Sequence, residues 1–587
     1  MCGLAAFLAY RGSPPVDRAE LDRVRDAMVR RGPDGAGTWM GQDDRVGLAH
    51  RRLSIIDVSD AGLQPMASED GRTRIVFNGE IYNYRQLRDE LTQRGERFCS
   101  HSDTEVVLAL YRRDGIAMLG RLRGMFALAI WDENRQGLLL ARDPLGIKPL
   151  YLADDGRCLR VASQCRALLA GGAVPASPSP AGRVSFLLWG HVAEPFTAWA
   201  AITALPAGRA LWVGADGSRA EHDFNSLRTM LVEAEAAPAP SWTAESLRET
   251  LLDSMRAHLI ADVPLGVFLS GGLDSTTLAG LAAELTPNPL KTVTLGFDEF
   301  AGTPGDETPL AETVARLYGA DHVTARVSAQ DFAASREQVL AAMDQPSVDG
   351  VNTWFVSRAA AGRGLKVALS GLGGDELFGG YDSFHQIPRL VRALRPLGCV
   401  PFLGKGFRLA TSAWIGRFAS PKLAGLLELG TSFGDAYLLR RGLFMPWELP
   451  RVLDADLVRE GWRDLAARSH LAAMVEDLRS DRIRVGALEA GGYMRNQLLR
   501  DSDWAGMAHS LEIRVPLVDV DLYRALLPAM AGANPPGKRH MALSPRPGLL
   551  PTILDRPKTG FGIPVADWIG GGRGLRGWAR QVDSHFF

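Results

Sequence analysis

Residues 263–285 read VPLGVFLSGGLDSTTLAGLAAEL. The apolar run VPLGVFLS has the length and composition of a buried strand, and STTLAGLAAEL continues as a helix. The hexapeptide Ser270-Gly271-Gly272-Leu273-Asp274-Ser275 is therefore the turn between them. Its two glycines let backbone N–H groups approach an anion closely, and the helix behind points the positive end of its dipole at the same place. Ser270 and Ser275 add hydroxyl donors. Asp274 would repel a phosphate unless a metal lies between, which assigns it to Mg2+. No GK[ST] tripeptide occurs in the chain, which argues against a Walker-type loop cleaving at a γ-phosphate.

Downstream, KTVTLGF (291–297), a helical stretch and LKVALSG (365–371) repeat the strand–helix alternation of a parallel-sheet α/β domain. A second glycine cluster, Ser370-Gly371-Leu372-Gly373-Gly374-Asp375-Glu376, follows the last of these strands. Strand C-termini of such a sheet converge on one crevice, so Asp375 is expected to face Asp274 as a second metal ligand. From about residue 385 onward the chain reads as mainly helical. Within it, Arg389 to Lys422 is basic and apolar, which fits a helical layer with a solvated basic face or, less readily, a membrane-surface helix.

Upstream the grammar differs. GLAAFLA, RVGLAHRRLSII, RTRIVFNGEIYN, GMFALAIWD, GLLLARD and PLYLADDGRCLRVAS are strand-like runs broken by turn residues. Helices are expected in DRAELDRVRDAMVRR, NYRQLRDELTQRG and DTEVVLALYRRDG, and Asp132 to Gly137 is expected to turn a hairpin. This mixture indicates an α+β domain with antiparallel sheets. The Ala/Pro-rich segment Glu233 to Ser241 reads as a linker between the two domains.

Bulk properties narrow the function classes. The 587 residues carry 66 Lys and Arg against 67 Asp and Glu, so no overall electrostatic case exists for nucleic acid or for an anionic membrane. Five cysteines, at 2, 99, 158, 165 and 399, show no CxxC or zinc-like spacing, and a reduced cytoplasm is expected. The N-terminus lacks the pattern of a secretory leader, and no apolar run is long enough to span a bilayer. Cys2 stands directly behind the initiator methionine. If Met1 is removed, the first residue carries a thiol with a pKa near ~8.5 and an α-amine near ~8 on one carbon, and the amine can take the thiol proton.

The motifs taken together resemble one family. SGGLDS followed by SGLGGDELFGGY is similar to the synthetase half of glutamine-dependent asparagine synthetases. MCG, RGPD, HRRLSI, FNGEIYN and SDTEV are similar to their glutaminase half, in the same order. The resemblance implies an N-terminal-nucleophile sandwich of two antiparallel sheets between helices over residues 2–215. An ATP-pyrophosphatase-type α/β domain with a helical C-terminal part would fill residues 242–587. It implies Cys2 as nucleophile and Asn78 with the N–H of Gly79 as oxyanion hole, donors typically worth roughly 100- to 1000-fold each in rate. Arg52, Ile55, Ile56, Asn78, Gly79, Glu80 and Asp103 would bind glutamine, with Arg52 on its α-carboxylate and Glu80 and Asp103 on its α-ammonium. Leu269, Ser270, Gly271, Gly272, Asp274, Ser275, Leu295, Ser370 and Gly371 would bind ATP, with Mg2+ on Asp274 and Asp375. Lys558 in RPKTGF would stand near the phosphates, with Lys538 as a weaker candidate. The implied chemistry is hydrolysis of glutamine through a Cys2 thioester, activation of a carboxylate by ATP, and attack of ammonia on the acyl-adenylate. Partners are then small molecules, with a homodimer as the candidate assembly.

The chain departs from the family at two places. Leu372 stands where asparagine synthetases often carry an acid, and a leucine can neither accept a proton nor pair an ammonium. Gly350-Val351 replaces the usual Pro-Ser, whereas Asp344, Pro346 and Asp349 are retained. Aspartate is the expected acceptor; a peptide or carbohydrate acid is the alternative that Leu372 and Val351 favour. A catalytically silent binding protein is disfavoured by the presence of Cys2, the SGGLDS loop and Asp375.

Overall fold

The computed structural model describes residues 2–238, 240–418, 420–556, 564, 568 and 574–587. Its first part holds two six-stranded antiparallel sheets. Strands are numbered along the chain: Gly3–Ala9 (β1), Gly35–Met40 (β2), Val46–Arg52 (β3), Met66–Ala67 (β4), Thr73–Ile81 (β5), Gly124–Asp132 (β6), Gly137–Arg142 (β7), Tyr151–Asp154 (β8), Cys158–Ala162 (β9), Thr203–Ala204 (β10), Arg209–Gly214 (β11) and Arg219–Asp223 (β12). One sheet has the order β10-β8-β9-β1-β3-β2 and the other β12-β11-β7-β6-β5-β4.

The period-two pattern of β1 explains why the sheets stack. Leu4, Ala6 and Leu8 point inward and share a core with Val76, Ala127, Ala129, Leu138 and Leu140 of the other sheet. Ala5, Phe7 and Ala9 point the opposite way, against Leu21 and Val24 of the helix Arg18–Ala27. The outer face of the second sheet is covered likewise. Phe77, Phe126 and Leu128 pack on Leu87 and Leu91 of the helix Tyr84–Gln93 and on Val107 and Leu110 of the helix Asp103–Asp114. Each such buried Leu or Phe contributes roughly 1.5–3 kcal/mol, so four helix and sheet layers close over three dry interfaces. This is the sandwich expected from the sequence. The Asp132–Gly137 hairpin is also found, its turn fixed by the N–H groups of Asn134 and Arg135 donating to Asp132 Oδ1 at 3.0 and 3.1 Å.

The second part is built on five parallel strands: Leu265–Phe268 (β13), Lys291–Phe297 (β14), Asp321–Val327 (β15), Val367–Leu369 (β16) and Glu512–Arg514 (β17), in the order β15-β14-β13-β16-β17. β13 lies centrally between β14 and β16, which brings the two glycine clusters to neighbouring strand ends. Residues beyond 385 are mainly helical, with one departure that matters. β17 completes the sheet, and its sequence EIR holds one apolar residue between two charges, so no hydrophobic run announces it. The stretch read as a linker is helical through Ala236. The helix Leu227–Ala236 is capped by Ser226 and buries Leu227, Met230, Leu231 and Ala234, apolar positions that mostly precede the Ala/Pro-rich run.

Candidate active site

Cys2 lies at the mouth of the sandwich. In the β1–β3 register Gly3 faces Arg51, so Cys2 comes beside Arg52 at the end of β3. The Cys2 side chain is buried, 9% exposed, and its Sγ lies 3.9 Å from the Leu53 carbonyl. Burial raises the thiol pKa. The Cys2 nitrogen, a peptide N–H in the full-length chain, donates to Asn78 Oδ1 at 3.0 Å. That bond fixes the amide of Asn78, whose Nδ2 is buried without a hydrogen-bond partner. An orphaned buried donor costs about 1–3 kcal/mol, and here it belongs to the side chain bonded to the Cys2 nitrogen. Gly79 follows; a Cβ on it would lie 2.0 Å from the Met125 carbonyl oxygen of β6, so no side chain fits.

The other residues expected to hold glutamine gather at the same strand ends. Arg52 donates from Nη1 to Ser59 O at 2.6 Å and from Nη2 to Asp57 O. Ile55 and Ile56 are buried just beyond it. Asp103 opens its helix, accepts the Ile81 N–H at 2.9 Å, and is pushed up to about 6 by burial. Glu80 is placed differently from its neighbours. Its carboxylate lies 3.7 Å from Arg514 Nη2 on β17, and its pKa is raised well above the carboxylate range by burial and then by the charge of Glu512. Arg514 in turn donates from Nε to Glu512 at 2.6 Å.

Two functional side chains escaped the sequence reading although their motif was seen. Arg31 of RGPD donates from Nε to the Cys2 carbonyl at 3.1 Å. Its other two nitrogens bind Asp503 of the second part at 2.6 and 3.1 Å, all of it buried. Asp34 of the same motif accepts the Ser54 N–H at 2.9 Å and the Lys366 ammonium at 2.7 Å. The motif thus ties Cys2 and the end of β3 to residues of the second part. Asp344 does similar work by accepting the N–H groups of Cys165 and Arg166, each at 3.0 Å, at the start of the helix Cys165–Ala170.

At the ends of β13 and β16 the two glycine clusters meet. Ser270 and Ser275 share a hydrogen bond of 2.8 Å, and the Gly272 N–H donates to Ser270 Oγ at 3.1 Å at the head of the helix Leu273–Leu285. A Cβ on Gly371 would come 2.8 Å from Ser275 N, and one on Gly374 would come 2.4 Å from Asp274 Oδ1. Glycine is what lets the loops close on each other. A cavity of about 270 Å³ opens there, lined by Leu269, Ser270, Asp274, Leu295, Ser370 and Leu372. Asp274 and Asp375 both bind the ammonium of Lys538, at 2.6 and 2.5 Å. Burial works against that charge, but the two carboxylates more than offset it and the Lys538 pKa is raised. Two carboxylates therefore converge on one cationic position. Among the described residues no cluster of three or more His, Cys, Asp or Glu could hold a metal. A cation placed here would complete its shell with phosphate oxygens and water, the habit of Mg2+. Arg556, paired with Glu307 at 3.1 Å, leans over Gly271 as a further cation that sequence reasoning missed. Lys558 lies outside the described residues.

Of the two departures from the family pattern, Leu372 lines the 270 Å³ cavity, whereas Val351 is fully buried in the core. Gly350 has φ +84 and packs so closely on Trp504 that a Cβ would lie 2.5 Å from its ring, which only glycine permits. It starts the helix Val351–Gly362, whose Asn352 and Thr353 line the 270 Å³ cavity beside Leu372. On the other side of this turn, Asp349 lines a cavity of about 730 Å³ between the two domains, with Trp189, Tyr437, Arg441 and Tyr493.

Residues 1–225 match the glutamine amidotransferase domain family and residues 246–585 the asparagine synthase family. Asparagine synthetase [glutamine-hydrolyzing] 1 of Bacillus subtilis is 30% identical over 99% of this chain and 90% of its own. A putative asparagine synthetase [glutamine-hydrolyzing] of Mycobacterium bovis is 33% identical over the same shares. Amidase chry2 of Gibberella zeae is 33% identical over 66% of this chain and 60% of its own. With both halves matched in order and full-length relatives at this identity, the chain belongs to the glutamine-hydrolysing asparagine synthetase family.

Proposed function

We propose that this enzyme amidates a carboxylate with ammonia taken from glutamine, at the cost of ATP cleaved to AMP and pyrophosphate. The observation that carries the reading is the orphaned Asn78 Nδ2 beside Cys2, in a chain whose second domain brings two carboxylates to one cation position. Once Met1 is removed, the α-amine of Cys2 takes the thiol proton and the thiolate attacks the glutamine amide carbon. Asn78 Nδ2 and the Gly79 N–H receive the developing oxyanion, where a buried preset donor needs no reorganisation. Ammonia leaves, and water hydrolyses the thioester to glutamate. Arg52 and Asp103 hold the two ends of the glutamine backbone.

In the second domain the Ser270–Ser275 loop and Ser370-Gly371 cradle ATP. Mg2+ held by Asp274 and Asp375 would neutralise charge on the departing pyrophosphate. The acceptor carboxylate attacks the α-phosphorus, pyrophosphate leaves, and ammonia displaces AMP from the acyl carbon. Excluding water protects both the adenylate and the neutral ammonia. Aspartate is the acceptor that most of the relatives' names indicate. A second reading, a different carboxylate, is favoured by Leu372 in the cavity wall and by the 730 Å³ space beyond Asp349, a size that holds drug-sized ligands.

One assay decides. Purified protein is incubated with glutamine, ATP and Mg2+, with and without aspartate, and glutamate, AMP, pyrophosphate and asparagine are followed. Aspartate-dependent asparagine supports the first reading. Glutamate release without asparagine supports the second, and turnover of neither glutamine nor ATP overturns the proposal.

A further inference from the structure

The chemistry leaves one conspicuous surface unused. From Ser383 to Leu427 the chain has seven Lys or Arg and no acidic residue, although the rest carries 59 basic against 67 acidic side chains. The same segment holds the three most exposed large apolar side chains among the described residues, Phe402 and Phe418 at 82% and then Leu409, and it also exposes Trp414 and Val400. Large apolar side chains exposed together on one segment mark an interaction surface more readily than single scattered ones.

The arrangement is that of an interfacial helix. In the helix Leu403–Phe418, the exposed Leu403, Phe407, Trp414 and Phe418 stand at positions i, i+4, i+11 and i+15, which fall on one stripe of the cylinder. The inner side is fastened to the domain: Arg408 pairs with Glu428 and stacks over Trp447, and Gly404 packs against the backbone of Glu428. The turn that feeds the helix is exposed from Arg395 through Leu403. Arg389, Arg395 and Lys405 are exposed and make no ion pair among the described residues. Trp, Phe and Leu beside free cations, with no anion within the segment, match a surface that is apolar in its centre and negative at its edge.

We infer that this segment docks the protein on an anionic lipid bilayer, lying in the headgroup region without crossing it. Large aromatic side chains enter the acyl boundary, while Arg389, Arg395 and Lys405 meet the lipid phosphates. No helix is long and apolar enough to span, so attachment is peripheral and reversible. The segment ends at Ser420, Pro421 and Lys422 in the wall of the 730 Å³ cavity, so docking brings that cavity close to the membrane surface. The inference stands apart from the proposed reaction and does not depend on its acceptor.

The test is sedimentation of the full chain with vesicles of phosphatidylcholine alone or with roughly 30% phosphatidylglycerol. Binding is expected to the anionic vesicles, with loss on raising salt from about 0.1 M to about 0.5 M. Replacing Phe402→Ser, Trp414→Ser and Phe418→Ser together should cut the bound fraction at least ~10-fold. Reversal at Arg389→Glu, Arg395→Glu and Lys405→Glu should weaken binding on the order of fivefold per residue. The reversal variant decides the question if the serine variant misfolds, and glutamine hydrolysis reports that each remains folded. Wild type left in the supernatant of anionic vesicles overturns the inference, as does sedimentation unchanged by charge reversal. If the wild type is a dimer that the surface substitutions dissociate, with no vesicle binding, a second copy covers the patch and the inference is equally overturned.

Discussion

The two reaction centres are built on opposite principles. Around Cys2 the polar contacts come from Asn78 of β5, the Leu53 carbonyl just past β3 and Arg31, Asn78 is fully buried, and its Nδ2 has no hydrogen-bond partner among the described residues. Around Asp274 and Asp375 the work is done by two glycine loops. The Asp274 and Asp375 side chains remain 18% and 17% exposed, and Lys538 offsets part of their charge before any ligand arrives. In the proposed reaction the first is preset for a charge that will develop, while the second holds its carboxylates on a lysine until a more highly charged ligand arrives. The difference suits the tasks, because an amide substrate is neutral and a nucleotide is not.

The comparison can be broken most sharply at the nucleophile. Cys2→Ala should abolish glutamine-dependent amidation while leaving AMP formation driven by added ammonium chloride; loss of both would merge the two centres into one. Intact mass of the active protein should lack Met1. Asp375→Asn is the mirror image. It should remove AMP formation with either nitrogen source, by about 1000-fold or more, yet leave glutamate release from glutamine in place. A variant that lost glutamate release as well would show that the glutaminase depends on the metal site.

A smaller effect probes the seam between the centres. Asp503→Ala leaves the buried Arg31 guanidinium without its counter-ion, and should lower stability by about 3–5 kcal/mol in denaturant unfolding. A change under about 0.5 kcal/mol would mean that water takes over the role. The least effect expected is that of pH on glutamine use. Burial pushes Asp103 up to about 6, so below that pH it is protonated and cannot pair the substrate ammonium. The kcat/KM for glutamine should then fall about tenfold per unit on acidification through pH 6. Asp103→Asn should flatten that profile and raise KM, and an unchanged profile would remove Asp103 from glutamine binding.

Much of this was legible in the residues. Period-two runs gave β1, β5, β6 and β7, because each lies between two apolar layers and alternates for both. The glycine clusters announced the crevice, because close backbone approach admits no other residue there. What escaped detection depends on distant partners. β17 is held by its neighbours β16 and the Arg514–Glu512 pair rather than by apolar side chains, and Arg31 acquires its role from a carboxylate 472 residues away. Glu80 shows the same limit. Its strand position was readable, while its approach to Arg514 belongs to the packing of one domain on the other.

The doubly attached Arg31 has a consequence for how the chain can be divided. Its two family segments are separable by eye, and residues 1–225 might be cloned as a self-sufficient glutaminase. Cut there, the fragment would lose the carboxylate that pairs a guanidinium only 1% exposed in the whole chain. The carbonyl of Cys2 hangs on that same side chain. A boundary that is clean in the gene therefore runs through the middle of a single electrostatic unit. The reagent that would free the first activity from the second is a substitution at Asp375, with the chain left whole.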